Sequence, residues 1–129
     1  ERARGFDETI LLNEHGQVAE CTSANIFAAD GARVWTPPLT SGCLPGVTRQ
    51  LLLHEINVAG YTVEEKVLTP ADLGQAAEVF ITSTTRNLLP AIEIDGRAMP
   101  RAGPACAALG AALGAYIDAY VASHKVVAV

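Results

Sequence analysis

Short apolar runs broken by turn residues fill the first third of the chain, and longer stretches with helical spacing follow. Residues 8–12 and 17–21 flank Asn13-Glu14-His15-Gly16, a polar tetrapeptide with glycine at a turn position, which predicts a hairpin. Residues 25–29 and 33–36 flank Asp30-Gly31 and predict a second one. Four short strands in a row predict a curved antiparallel sheet. After Pro37-Pro38 and a loop through Gly46, residues 47–58 place Val47, Leu51, Leu52 and Ile56 near one helical face, with Gly60 as the stop. Residues 62–67 alternate like a strand. Thr69-Pro70-Ala71-Asp72 combines an N-cap, proline at the first helical position and an acid in the first turn, so a short helix should run to about Ala76. Residues 78–82 and 88–94 read as further strands, the second turned back by Asp95-Gly96. A last helix from Pro104 to about Ser123 puts Leu109, Leu113, Ile117 and Tyr120 on a buried stripe.

This order predicts one mixed α/β (α+β) domain over residues 1–129 rather than a regular parallel alternation. No GxGxxG follows a strand, and the stretch from Gly42 to Gly46 lacks the GxxxxGK[ST] pattern, which argues against a Rossmann sheet and a nucleotide loop. With 50% hydrophobic and 18% charged residues the chain can build a sizeable core, which excludes disorder as its dominant state. Nine Lys and Arg against fourteen Asp and Glu leave a net charge of −5 without a long basic cluster, so nucleic acid and anionic membrane are poor partners. The uncharged stretch 102–117 is mostly Ala and Gly and carries Pro104, too weakly apolar for an expected membrane span. Cys21, Cys43 and Cys106 are odd in number and widely spaced, with no CxxC pair and no histidine in ligand register, so a reducing cytoplasm and no metal are expected. The opening Glu1-Arg2-Ala3-Arg4, without an initiator Met or signal-like segment, fits a start inside a longer protein.

Three loops at the ends of apolar strands concentrate small polar side chains and glycine, where a rigid scaffold can aim them into a cleft. The first, Glu20-Cys21-Thr22-Ser23-Ala24-Asn25, sets an acid before hydroxyl and amide groups; it reads equally as a turn whose polar side chains satisfy one another. The second, Ser41-Gly42-Cys43-Leu44-Pro45-Gly46-Val47-Thr48-Arg49, runs into a helix start, whose free N–H groups suit a phosphate or simply form a helix entry. The third, Thr82-Ser83-Thr84-Thr85-Arg86-Asn87, suits recognition of phosphate or carboxylate, with Arg86 able to make a bidentate contact or to stay solvated. His15, His54 and His124 suggest no nucleophilic triad. Glu64-Glu65 read as a solvated strand face, and Lys66 and Lys125 as surface residues.

Taken in order, Gly5-Phe6-Asp7-Glu8, Glu20 through Asn25-Ile26-Phe27, Trp35-Thr36-Pro37-Pro38, Leu44-Pro45-Gly46-Val47-Thr48-Arg49 and Thr82-Ser83-Thr84-Thr85-Arg86 resemble the fold-type IV pyridoxal-phosphate enzymes. These are the class IV aminotransferases, among them branched-chain and D-amino-acid aminotransferases and 4-amino-4-deoxychorismate lyase. The resemblance runs from about Gly5 to Arg97 and implies a curved mixed sheet or pseudo-barrel flanked by helices. It implies pyridoxal 5'-phosphate as cofactor, with Glu20 at the pyridine nitrogen, where a carboxylate keeps the ring an electron sink. Leu44 would pack on one ring face, Gly46, Val47 and Thr48 would form the phosphate cup, Thr84 would add a phosphate contact, and Asn25 would brace the Glu20 loop. Thr84, Thr85 and Arg86 would receive the substrate carboxylate.

In such enzymes the Schiff-base lysine lies upstream of the motif matched by Gly5-Phe6-Asp7-Glu8, so this chain is expected to hold no catalytic lysine; neither Lys66 nor Lys125 matches it. The small N-terminal domain is also expected to be missing, leaving most of the large coenzyme-binding domain. For the parent protein the resemblance implies transfer of an amino group from an amino acid to a 2-keto acid. The alternatives are a lyase releasing pyruvate, or a chain that by itself is a non-catalytic coenzyme-binding or assembly module. A cytoplasmic homodimer is implied in the same way.

Overall fold

A computed structural model of the protein describes residues 9–22, 24–82, 87–91, 93–94, 97–98 and 103–123. In chain order the elements are β1 (Ile10–Leu12), β2 (Val18–Cys21), β3 (Ile26–Asp30), β4 (Arg33–Thr36), a 3-10 turn (Leu39–Ser41), α1 (Val47–His54), β5 (Thr62–Glu65), α2 (Pro70–Gln75), β6 (Glu78–Thr82), β7 (Leu88–Pro90), β8 (Glu93–Ile94), β9 (Arg97–Ala98) and α3 (Pro104–Ser123). The mixed α/β class is as expected.

The central sheet has the order β5-β4-β3-β6-β7, with β4 and β5 parallel and the other neighbours antiparallel. Its middle strand, β3, is buried on both faces, as the two-residue period requires. Phe27 and Ala29 join Val34, Leu52, Phe80, Ala105, Leu109 and Leu113 in the core beneath α1 and α3. Ile26 and Ala28 face the opposite way, toward Val18, Cys21, Leu68, Leu73 and Val79. The short helix α2 begins as its sequence predicts: Asp72 N donates to the Thr69 hydroxyl, and the Asp72 carboxylate accepts from Thr69 N at 2.9 Å.

The four early strands do not form one sheet. β1 and β2 pair as a separate two-stranded sheet, because the chain reverses through a bridge between Cys21 and Ala24 before β3 begins. Both edges of β3 are then taken by β4 and β6, which leaves no place for β2 beside it. The first helix stops at His54, short of residue 58: Ile56 N donates to the Leu51 carbonyl at 2.8 Å, and the chain leaves the helix with Ile56 still in the core. Gly60, at φ +88°, serves the turn into β5 instead of ending the helix.

The run 88–94 also divides. Pro90 has no N–H with which to continue the ladder, Ala91 N donates to Val79 O at 2.7 Å, and residues 93–94 pair with 97–98. In α3, Leu109 and Leu113 are buried and Ile117 packs on the core, but Tyr120 is 54% exposed, within an end of the helix where residues 118–123 are all exposed. Over one 18-residue window α3 has a mean hydropathy of 1.5, so by length and composition it is apolar enough to cross a membrane, contrary to the expectation from residues 102–117. One face of this helix nevertheless packs into the core through Ala105, Cys106, Leu109 and Leu113.

Candidate functional site

Two strand ends and a helix start converge where β2 gives way to β3. Glu20 projects from β2, and its carboxylate accepts from the Leu44 backbone N–H at 2.8 Å. Asn25 precedes β3, and its side-chain amide donates to the Leu44 carbonyl at 2.9 Å. The Leu44 residue is thereby held through both of its backbone groups by the first loop. Asn25 also reaches the third loop: its backbone N–H donates to the Thr82 hydroxyl at 3.1 Å, and Thr82 N returns a bond to the Asn25 carbonyl at 3.1 Å. One buried asparagine thus joins segments that are 19 and 57 residues away in sequence.

Gly46 caps α1 without a side-chain hydrogen bond, so the cap residue itself satisfies none of the first-turn N–H groups. Its glycine identity is enforced by space, since a Cβ there would lie 2.3 Å from Asn25 Oδ1. Beside this bare helix start Leu44 and Val47 are exposed, at 69% and 73%. Thr48, Arg49 and Leu52 are the buried positions of α1, so Val47 does not share the burial of Leu52 and Ile56, with which its spacing grouped it. Periodicity missed that stripe because two of its three members are polar. A glycine-capped helix start, an exposed apolar side chain and a fixed carboxylate together suit a phosphate-bearing ring.

Behind the helix start the Arg49 guanidinium is 1% exposed and donates to the Pro37 carbonyl at 3.1 Å, to the Glu65 carboxylate and to Gln50. Burial pushes the Cys43 thiol above its ordinary range, and the Arg49 charge opposes that rise. Glu64-Glu65 are therefore not merely a solvated face: Glu65 pairs with Arg49, and Glu64 accepts from the Trp35 indole at 3.3 Å. Lys66 lies over the Trp35 ring, 4.3 Å from its centroid. Among the described residues, Ser41 Oγ and Arg49 Nε are buried without a hydrogen-bond partner.

Sequence reasoning gave no role to Arg49 or Glu78. Glu78 is buried in β6 and accepts from the backbone N–H groups of Ala105 and Cys106 at 2.9 and 3.0 Å, capping α3 from a distant strand. An acid at the head of a compact apolar strand was the available signal. Glu20, Asn25, Leu44, Gly46, Val47 and Thr48 belong to the linked loops and helix start. Ser23, Thr84, Thr85, Arg86 and the Gly5-Phe6-Asp7-Glu8 motif lie outside the described residues. A groove of about 310 Å³ adjoins the start of α1, running between Val47, Thr48 and Leu51 of α1 and Tyr116, Tyr120 and Val121 of α3.

A family model for class IV amino-transferases matches residues 2–94. The D-alanine aminotransferase of Bacillus licheniformis is 39% identical over 97 residues, which are 75% of this chain and 34% of that protein. The crystal structure of the branched-chain aminotransferase from Thermoproteus uzoniensis with norvaline aligns at a TM-score of 0.83 and 35% identity, covering 95% of this chain and 41% of that one. An aminotransferase from Brucella abortus, bound to the cofactor PLP, aligns at a TM-score of 0.77 and 31% identity, covering 89% and 41%. The chain spans about a third of the length of the curated relatives it matches.

Proposed function

The chain belongs to the class IV amino-transferase family, and from that premise we propose that it forms most of the large coenzyme-binding domain of a pyridoxal-phosphate-dependent aminotransferase. The parent enzyme would move an amino group from an amino acid, of branched-chain or D type, to a 2-keto acid. The observation that carries this reading is the double hold on Leu44 by Glu20 and Asn25 beside the bare start of α1.

The residues present fit pyridoxal phosphate. Gly46 keeps the helix start free of a side chain, and the N–H groups of Val47 and Thr48, with the Thr48 hydroxyl, would hold the phosphate. Leu44, fixed in place yet exposed, would lie against the ring. Glu20 would face the ring nitrogen and keep it protonated. When bound, the cofactor supplies an electron sink for the pair released at the substrate α-carbon. Asn25 positions the loop rather than the substrate, Thr84 is proposed for a second phosphate contact, and Thr84, Thr85 and Arg86 are proposed for the substrate carboxylate. No proton-transfer role falls to Lys66, which is engaged over Trp35; the reactive lysine is proposed upstream of Gly5 in the parent protein.

The remaining parts of the proposal are a homodimer, a cytoplasmic setting, and neither nucleic acid nor membrane as partner; the net charge of −5 supports the exclusion of nucleic acid. The test is to add pyridoxal phosphate, reduce with borohydride and map the modified peptide. Labelling of an upstream lysine in the parent protein, with amino transfer to a 2-keto acid, is expected. Specific labelling of Lys66 or Lys125 with activity would overturn the assignment.

A further inference from the structure

Cys43 and Arg49 stand immediately outside the two ends of residues 44–48, the segment proposed to hold the ring and phosphate. Both reach the carbonyl oxygen of Pro37: Arg49 Nη2 donates to it at 3.1 Å, and the Cys43 thiol lies 3.5 Å from it and 3.6 Å from the Pro38 carbonyl. That carbonyl lies one residue beyond β4. Pro37 directly follows Thr36, whose hydroxyl donates to the Ile26 carbonyl at 2.8 Å, and Lys66 N donates to the Thr36 carbonyl at 2.9 Å. Glu65, the second partner of Arg49, is paired in register with Thr36 across the parallel β4–β5 ladder. A single guanidinium therefore ties the first turn of α1 to the ends of two strands.

Burying a charge for packing alone is unfavourable, since an apolar side chain of similar volume fills a core position without the desolvation cost. The Nη2 nitrogen of Arg49 donates to both Pro37 and Glu65 while Nη1 donates to Gln50; a lysine ammonium keeps the charge but has a single nitrogen, so the planar two-nitrogen grip is lost. We propose that Arg49 is a positioning residue for the coenzyme cradle, pinning residues 44–48, together with Cys43, onto the Pro37 carbonyl and so setting the start of α1 against Glu20. This proposal rests on the coenzyme reading above.

The test compares wild type with Arg49→Lys, Glu65→Gln, Cys43→Ala and Cys43→Ser by two readouts on the full chain. One is hydrogen exchange at the backbone amides of Leu44, Gly46 and Gln50, which donate to Glu20, Leu44 and Gly46 respectively. The other is a spectral titration with pyridoxal phosphate. Arg49→Lys should speed exchange at these three amides about tenfold and weaken coenzyme binding about tenfold, the equivalent of one lost hydrogen bond, with β3 and β6 unchanged. Glu65→Gln, a milder change at a half-exposed side chain, should act in the same direction and serves if Arg49→Lys fails to fold. Cys43→Ser, which keeps a donor, should stay nearer wild type than Cys43→Ala. Unchanged exchange, or exchange that rises equally in the strands, would overturn the proposal, as would faster exchange with unaltered coenzyme binding. If wild type binds no coenzyme while Arg49→Lys still loosens only these amides, the pin stands and the coenzyme reading falls.

Discussion

The sheet interior and the loop cluster at its edge are built from opposite materials. In the interior, Phe27 and Phe80 face each other across β3 and β6 with stacked rings 5.5 Å apart, both fully buried. At the edge, Glu20, Asn25 and Thr82 hold neighbouring loops by directional hydrogen bonds, while Leu44 and Val47 stay exposed. Apolar burial is large and tolerant of small shifts, whereas each hydrogen bond adds little net stability but fixes a position to a fraction of an ångström. The core therefore decides whether the chain folds, and the edge decides what it can hold.

The largest effect on that contrast should come from Phe27→Ala. Loss of a fully buried aromatic costs about 3–5 kcal/mol, measured as a lower urea midpoint at unchanged slope. Coenzyme binding should fail only where the protein unfolds. Gly46→Ala inverts the pattern. Its new Cβ would meet Asn25 Oδ1 at 2.3 Å, so a stability loss of about 1–3 kcal/mol is expected with a loss of coenzyme binding well before unfolding. Adding Asn25→Ala should restore part of the stability but not the binding, a coupling that a double-mutant cycle measures. Thr69→Ala removes the cap of α2, far from both features in sequence. It should cost about 1 kcal/mol in urea titration and leave coenzyme affinity alone.

The smallest effect at neutral pH concerns Cys106, whose thiol is pushed up to about 11 by burial, with the Glu78 carboxylate adding to the rise. A folded-state value above the unfolded 9.0 favours the protonated fold below pH 9 and withdraws that stability as pH climbs toward 11. Thermal melts from pH 8 to 11 should show this decline, and Cys106→Ala should flatten it.

Much of the fold was legible because local signals agreed with tertiary demands. Thr69-Pro70-Ala71-Asp72 gave α2, and Glu78 to Thr82 gave β6 with its bounds. Errors arose where partners distant in sequence decide the outcome. The split between β2 and β3 follows from β6 taking the second edge of β3, and the true inner stripe of α1 carries Thr48 and Arg49, which no hydrophobic template selects. The three loops were each ambiguous alone, and their ordered motifs pointed to the family. Their physical junction, the Asn25 side chain and Thr82 hydroxyl, is a product of sheet register that sequence spacing does not reveal.

Nuclear magnetic resonance of the isotopically labelled chain during titration with pyridoxal phosphate tests the central claim most directly. Shifts centred on Glu20, Leu44, Gly46, Val47, Thr48 and Thr84, saturating together and abolished by Gly46→Ala, are expected. Absence of saturable shifts, or shifts centred on the groove at Tyr116, Tyr120 and Val121, would contradict the claim that the linked loops form the coenzyme cradle.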